Sequence, residues 1–304
     1  MSTQPYILMN GTPVPQDQAV IPVTSPAVAY ASAVFEGIRA YWSERDQQMY
    51  VFRLDDHLQR LQFSMRAMRY DAQYSLEELR AQVMLAIRVN ELREDIHLRM
   101  TALITGPTAI TTSGPVTLAI TAGPYPANTW VERGMAVGVS SWQRVHDSSN
   151  PPRIKATANY SNGRLAMLEA KQNGYDAALM LTRDGKVAEA PVATCFVVRD
   201  GRVLTPLATD GILESITRET LIELLERELG IPVLQRSIDR TELYDAHEML
   251  LCGSGWEVVP VASVDRIPMK APAPGPVTRQ VRDFYLRAVH GELPDRVSWL
   301  TPVW

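Results

Sequence analysis

The chain has 304 residues, of which 46% are apolar and 21% charged, and its formal net charge is -4. That length calls for two domains rather than one small core. The slightly acidic balance, with both signs interspersed, argues against a nucleic-acid surface, which needs a basic excess. Cys195 and Cys252 are far apart and make neither a metal spacing nor a disulfide framework. The five histidines are scattered without a zinc motif, so no metal is expected. Met1–Pro5 has no basic stretch ahead of an apolar one, and no apolar run reaches membrane-spanning length. A soluble, reducing, cytoplasmic setting is the expectation, with neither membrane nor nucleic acid as partner.

In chain order, Tyr6-Ile7-Leu8-Met9, Asn10-Gly11 and Pro13-Val14 predict a hairpin with an Asn-Gly turn. The run from Phe35 to Tyr41 leads into a strand. Asp55 is placed as the N-cap of a helix running to about Met68, with Leu58, Leu61 and Met65 on one face. A second helix is expected from Leu76 to Asn90, then strands from Ile96 to Thr105 and Val116 to Ala122. The Pro-rich stretch from Gly123 to Asn128 breaks the pattern and reads as a linker. This puts a small N-terminal α/β domain at 1–122, a linker at 123–133 and a larger C-terminal domain at 134–304. In that second part, strands are expected at 136–141, 177–182, 195–198 and 249–252. Helices are expected at 159–173, closed by Gly174, at 217–229 and at 275–290. Strands and helices alternate in both halves, which gives an α/β (α+β) class.

Lys155 is one of only four lysines. Lys171, Lys186 and Lys270 have polar or turn surroundings and read as solvated surface. Lys155 instead follows Pro151-Pro152 and sits among Ile, Ala and Thr. A lysine in apolar surroundings can be a neutral nucleophile, and one carbonyl that proteins keep on a lysine is the aldehyde of pyridoxal phosphate. The same pattern also fits a lysine whose stem snorkels along the surface. A pyridoxal-phosphate site would further need a phosphate cup, an acid for the pyridine nitrogen and a donor for the ring oxygen. Ser215-Ile216-Thr217-Arg218 opens a helix, where free N–H groups and the dipole bind phosphate. Gly253-Ser254-Gly255 offers a small-residue turn, and Arg60 a forked charge. Thr217 could equally be a plain N-cap, the glycine turn only a turn, and Arg60 only surface. Glu189, before Pro191, is the candidate acid, or an ordinary loop carboxylate. Tyr160 is the candidate ring-oxygen donor, or a core tyrosine.

Several of these segments, taken in order, resemble the motifs of the class IV aminotransferases, and most of all those of the branched-chain amino-acid aminotransferases. They are Phe35-Glu36-Gly37-Ile38-Arg39-Ala40-Tyr41, Val139-Ser140-Ser141-Trp142, Lys155-Ala156-Thr157-Ala158-Asn159-Tyr160, Glu189, Ile216-Thr217-Arg218 and Gly253-Ser254-Gly255-Trp256-Glu257. The resemblance runs from about Tyr6 to Trp304. It implies a two-domain pyridoxal-phosphate enzyme of fold type IV, with a barrel-like C-terminal domain, an active site between the domains, and a homodimer or larger assembly. It also implies a ping-pong transfer from an amino acid to an oxo acid such as 2-oxoglutarate. Lys155 would carry the cofactor and move the proton, and Glu189 and Tyr160 would meet its ring. Arg60, Ile216, Thr217 and Ser254 would hold its phosphate. Tyr30, Phe35, Arg39, His97, Arg99, Tyr125 and Gly255 would line the substrate pocket, with Arg99 and Arg39 the guanidinium groups facing the substrate.

The departures cluster in that pocket. His97-Leu98-Arg99 replaces a Tyr-x-Arg pair, and an imidazole there would make activity sensitive to pH between about pH 5 and 8. Gly253-Ser254-Gly255-Trp256 replaces Gly-Thr-Ala-Ala. The stretch Ala190-Pro191-Val192-Ala193-Thr194 replaces a Gly-rich one, and Ser215 stands where a glycine is usual. A chiral-amine or D-amino-acid transaminase and an aminodeoxychorismate-lyase-like enzyme therefore stay open. So does a binding protein that keeps the fold.

Overall fold

The structure is a computed structural model that describes residues 5–126 and 128–304. The N-terminal residues 1–4 and Ala127, one position of the expected linker, lie outside the described residues. By its internal contacts the chain forms two units. One holds the chain up to Pro126 together with Ile154–Ala158 and Ala288–Trp304; the other holds the segment ending at Arg153 and Asn159–Arg287. The expected uninterrupted domains differ from this division, because two late segments complete the first unit.

The chain begins with the expected hairpin, β1 (Tyr6–Met9) and β2 (Thr12–Pro15). Asn10 and Gly11 both have positive φ (49° and 78°), the pair that a type I′ turn requires. Next come α1 (Pro26–Ala29), β3 (Ala33–Ser43), β4 (Gln48–Phe52), α2 (Leu54–Ala67), α3 (Leu76–Arg88), β5 (Ile96–Ile104) and β6 (Val116–Pro124). Further along are β7 (Met135–Val139), α4 (Thr157–Gln172), β8 (Ala177–Leu179), β9 (Thr194–Arg199) and β10 (Arg202–Thr205). These are followed by α5 (Ile216–Arg227), β11 (Val233–Gln235), β12 (Glu248–Gly253), β13 (Glu257–Val264), β14 (Ile267–Pro268), α6 (Pro276–Val289) and β15 (Leu300–Pro302).

In the first unit seven strands run in the order β15-β4-β3-β5-β6-β1-β2. Leu58, Leu61 and Met65 of α2 and Leu79, Val83 and Ile87 of α3 bury one face of that sheet against Ile38, Leu98 and Ile120. In the second unit the order is β11-β10-β9-β12-β13-β7-β8, with β14 on β13. Its core joins Val137, Leu179, Val197, Leu251 and Val259. Among the described residues, no helix is long and apolar enough to cross a membrane.

Two helix starts differ from expectation. Asp55 is not the cap of α2; that position belongs to Arg53, in the left-handed region at φ 48°. Asp55 and Asp56 lie in the first turn, where carboxylates favour the positive end of the helix dipole. Thr217 is not the cap of α5 either. Ser215 is, and its hydroxyl accepts the N–H of Arg218 at 3.2 Å. The serine that stands in place of a glycine thus satisfies an otherwise orphan donor.

Candidate active site

In the first unit, β3 and β5 pair with Phe35 opposite Thr101, Gly37 opposite Arg99 and Arg39 opposite His97. Opposed residues point to the same side of a sheet. Phe35, Arg39, His97 and Arg99 therefore share one face, while Val34, Glu36, Ile38, Leu98 and Met100 face α2 and α3. The guanidinium carbon of Arg99, an exposed residue, lies 3.6 Å from the centre of the Phe35 ring. Arg39 has a different setting. It is 3% exposed, its Nη1 donates to the carbonyl of Tyr125 at 3.1 Å, and it rests against the rings of Tyr41 and Tyr125. Of the two arginines expected to face a substrate, Arg39 is thus buried and Arg99 exposed.

His97 is fixed by shape. A Cβ at Gly37 would come within 2.9 Å of its Nε2, so the glycine makes room for the ring. The Tyr125 ring lies 5.3 Å away, tilted by 39°. Burial and then the charges of Arg39 and Arg99 push the imidazole down to about 4. An imidazole held there stays neutral between pH 5 and 8, so a pH-dependent activity change in that range would not come from His97. Tyr30 caps the C-terminal end of α1 and is exposed.

The other face of β3 carries a group that sequence reading missed. Glu36 is fully buried and accepts a forked pair of bonds from Arg60 on α2, at 2.8 Å and 2.7 Å. His57, one turn earlier, lies with Nδ1 2.8 Å from the same carboxylate. Burial alone would raise the Glu36 carboxyl; the charge and hydrogen bonds of Arg60, with a smaller share from His57, outweigh it and hold it at about 2. Burial lowers His57 below its ordinary value. A neutral imidazole facing an ionised carboxylate must donate from Nδ1, which sets its tautomer. Arg60 is thus gripped from below by Glu36. The signal was present: on that face of β3 Glu36 stands alone among Val34, Ile38, Ala40 and Trp42, and a carboxylate so placed needs a partner.

Lys155 belongs to the short segment that returns to this unit. Val34 bridges Ala156, and Phe35 N donates to Lys155 O at 2.9 Å. Ile154 and Ala156 are buried in the core, so alternation turns Lys155 the other way. Its Nζ lies 4.9 Å from the Phe35 ring centre. Lys186 and Lys270 are ion-paired with Asp239 and Asp245 at 2.6 Å and 2.5 Å, and Lys171 is exposed.

In the second unit, Glu189 is buried and its Oε1 accepts from Leu213 N at 3.0 Å and pairs with Arg144 at 2.6 Å. Tyr160, half-buried, is in the first turns of α4. That helix approaches the segment after Glu189 closely, since a Cβ at Gly163 would meet Pro191 Cβ at 2.8 Å. Ile216 and Thr217 are buried in the first turn of α5. Arg218 beside them is directed elsewhere: it donates to Thr205 Oγ1, Pro206 O and Gln235 Oε1. Ser254 and Gly255 form the turn between β12 and β13, closed by Trp256 N donating to Gly253 O at 3.1 Å.

A lysine amine, a clamped buried carboxylate and a helix start with a small-residue turn are the donor set that pyridoxal phosphate requires. Residues 33–264 match the family model for amino-transferase class IV. The chain belongs to the class IV aminotransferases. It is an aminotransferase, and its cofactor is pyridoxal phosphate. It is 36% identical to a probable branched-chain-amino-acid aminotransferase of Aquifex aeolicus (strain VF5), over 98% of this chain and 97% of that one. It is 41% identical to the branched-chain amino acid aminotransferase of Thermobaculum terrenum, whose crystal structure is in the PLP form. That likeness covers 100% of both chains, with a TM-score of 0.94. The branched-chain aminotransferase of Thermoproteus uzoniensis, solved with norvaline, is 40% identical over 99% of both chains, also at 0.94. These likenesses identify the two-sheet architecture as that of the fold type IV enzymes.

Proposed function

We propose that the enzyme transfers the amino group of a branched-chain or other hydrophobic L-amino acid to a 2-oxo acid such as 2-oxoglutarate, in two half-reactions of ping-pong type. The observation that carries this reading is the setting of Phe35. Its ring is approached by the Lys155 amine at 4.9 Å and by the Arg99 guanidinium at 3.6 Å. A proton-transfer group and a carboxylate-reading group therefore flank one apolar wall. The full-length likeness to enzymes named for branched-chain amino acids, one of them solved with the linear aliphatic norvaline, supports an apolar substrate side chain.

Pyridoxal phosphate, when bound, supplies an electron sink for negative charge at the substrate Cα. Lys155 would hold the cofactor through its Nζ and, once released from it, would serve at that atom as the base for the substrate Cα proton. Glu189 would face the pyridine nitrogen and favour a proton on it, and Tyr160 would donate to the ring oxygen. Arg60, Ile216, Thr217 and Ser254 would hold the phosphate, two of them through the N–H groups at the start of α5. Arg99 meets the substrate carboxylate; Phe35, His97, Tyr125, Tyr30 and Gly255 shape the pocket, and Arg39 stiffens Tyr125.

An amino-donor panel tests the reading. L-Leu, L-Ile and L-Val should outpace their D-enantiomers and (R)-configured primary amines with 2-oxoglutarate as acceptor. Faster turnover of a D-amino acid or an (R)-amine would replace the substrate class. Borohydride trapping followed by peptide mapping should put the pyridoxyl label on Lys155; a label on Lys171, Lys186 or Lys270 would overturn its role.

A further inference from the structure

Arg144 has no part in the roles above, yet it touches the group on which they depend. It lies beyond the end of β7, its backbone N–H bonded to Leu181 O at 2.8 Å, and its side chain is 7% exposed. Its Nη2 is 2.6 Å from Glu189 Oε1, and its Nε donates to Gly211 O at 3.1 Å. Leu213 N donates to that same Oε1 at 3.0 Å. One short segment therefore grips both partners: Gly211 holds the arginine and Leu213 holds the carboxylate. Gly211 has φ +74°, and a Cβ there would lie 3.4 Å from Val145 O and 3.5 Å from Arg144 Cγ. A side chain at 211 would be strained and would press on the arginine. Two residues further on is Ser215, the cap of α5.

A carboxylate bonded to a protonated ring nitrogen can take that proton itself, leaving two neutral partners. The charge around the carboxylate decides which side keeps it. A guanidinium in contact, away from water, stabilises the carboxylate anion. We propose that Arg144 is a positioning residue that keeps Glu189 ionised and in one orientation, so that the proton stays on the pyridine nitrogen. The inference rests on the reading of Glu189 as the partner of that nitrogen.

The test uses the holoenzyme loaded with pyridoxal phosphate labelled with nitrogen-15 in the ring. In Arg144→Gln the ring-nitrogen chemical shift should move toward that of a neutral pyridine, and kcat should fall roughly ten- to a hundredfold. Arg144→Lys keeps a cation and should lie nearer the wild type in both measurements. An unmoved nitrogen shift in Arg144→Gln, whatever happens to kcat, overturns the proposal. If Arg144→Gln does not fold, Gly211→Ala takes its place, with a smaller movement in the same direction expected and an unmoved shift again overturning. Glu189→Gln separates the two ideas: if it too leaves the nitrogen unmoved, the reading of Glu189 has failed and the inference with it, whereas a nitrogen moved by Glu189→Gln but not by Arg144→Gln overturns the role of Arg144 alone.

Discussion

Glu36 in the first unit and Glu189 in the second are both buried carboxylates gripped by an arginine, but they are compensated differently. Glu36 lies in the middle of a strand and takes its partners, Arg60 and His57, from one helix face. Both of its oxygens are engaged. For Glu189, Arg144 and Leu213 N meet on a single oxygen, and the second of these comes from a loop. The first arrangement is a structural lock, with an ionised acid pinned on the helix-covered side of a sheet. The second holds its acid from a loop and from an arginine beyond the end of β7. Burying a carboxylate requires an opposing charge in either case, and the geometry of that charge decides what else the acid can do.

The strongest way to break this comparison is Glu189→Gln. It should bind cofactor yet lower kcat by about a hundred- to a thousandfold, in the range of lost electrostatic stabilisation at a reacting centre. Steady-state rates beside the cofactor content of the purified protein would check it. Near wild-type turnover would mean that Glu189 is as structural as Glu36.

Glu36→Ala should instead act on stability. Removing one member of a buried ion pair leaves Arg60 uncompensated, a loss on the order of 3–5 kcal/mol in denaturant unfolding. The double variant Glu36→Leu with Arg60→Met removes both charges and should recover part of that loss. No recovery would contradict the lock.

Acid should release the same lock. Glu36 is held near 2, below its ordinary 4.5, so its contribution is complete above about pH 4.5 and is lost as pH falls toward 2. His57 is also lowered, so the unfolded chain takes up its proton first and stability declines further as pH falls below the ordinary histidine range. Unfolding free energies from pH 7 down to 3 should converge for wild type and Glu36→Gln. Parallel curves would show that Glu36 does not titrate in this window.

The smallest effect is expected at His97. Held at about 4, it is neutral throughout pH 5–8, so the pH–activity profile of His97→Gln should keep the wild-type shape in that range even if its height changes. A midpoint lost from the profile in the variant would show that the imidazole titrates there. Gly37→Ala probes the same ring mechanically. The added carbon would sit 2.9 Å from Nε2, and the ring or strand must give way. A rise in KM with little change in kcat would place that shift in the substrate pocket.

Much of this molecule was legible in the order of its residues. The Asn10-Gly11 turn, the periodic helices α2, α3 and α5, and the apolar strands β5, β6 and β12 follow from local rules of φ and periodicity. Lys155 was legible because it is a rare lysine among apolar neighbours whose alternation with Ile154 and Ala156 turns it away from the core. The short strands β4, β10, β11, β14 and β15 were not, since few residues carry their signal and pairing alone defines them. Nor was the return of the 154–158 segment and of β15 to the first sheet, because a contact between distant segments leaves no trace in composition. Sequence named Glu189, Arg60 and His97; only the tertiary structure assigned their partners. It paired Glu189 with Arg144, paired Arg60 with Glu36, and set His97 across from Arg39 and against the Tyr125 ring. The physical reason is that a side chain's charge, orientation and proton are set by what surrounds it in space, and for these residues the surroundings come from elements far away along the chain.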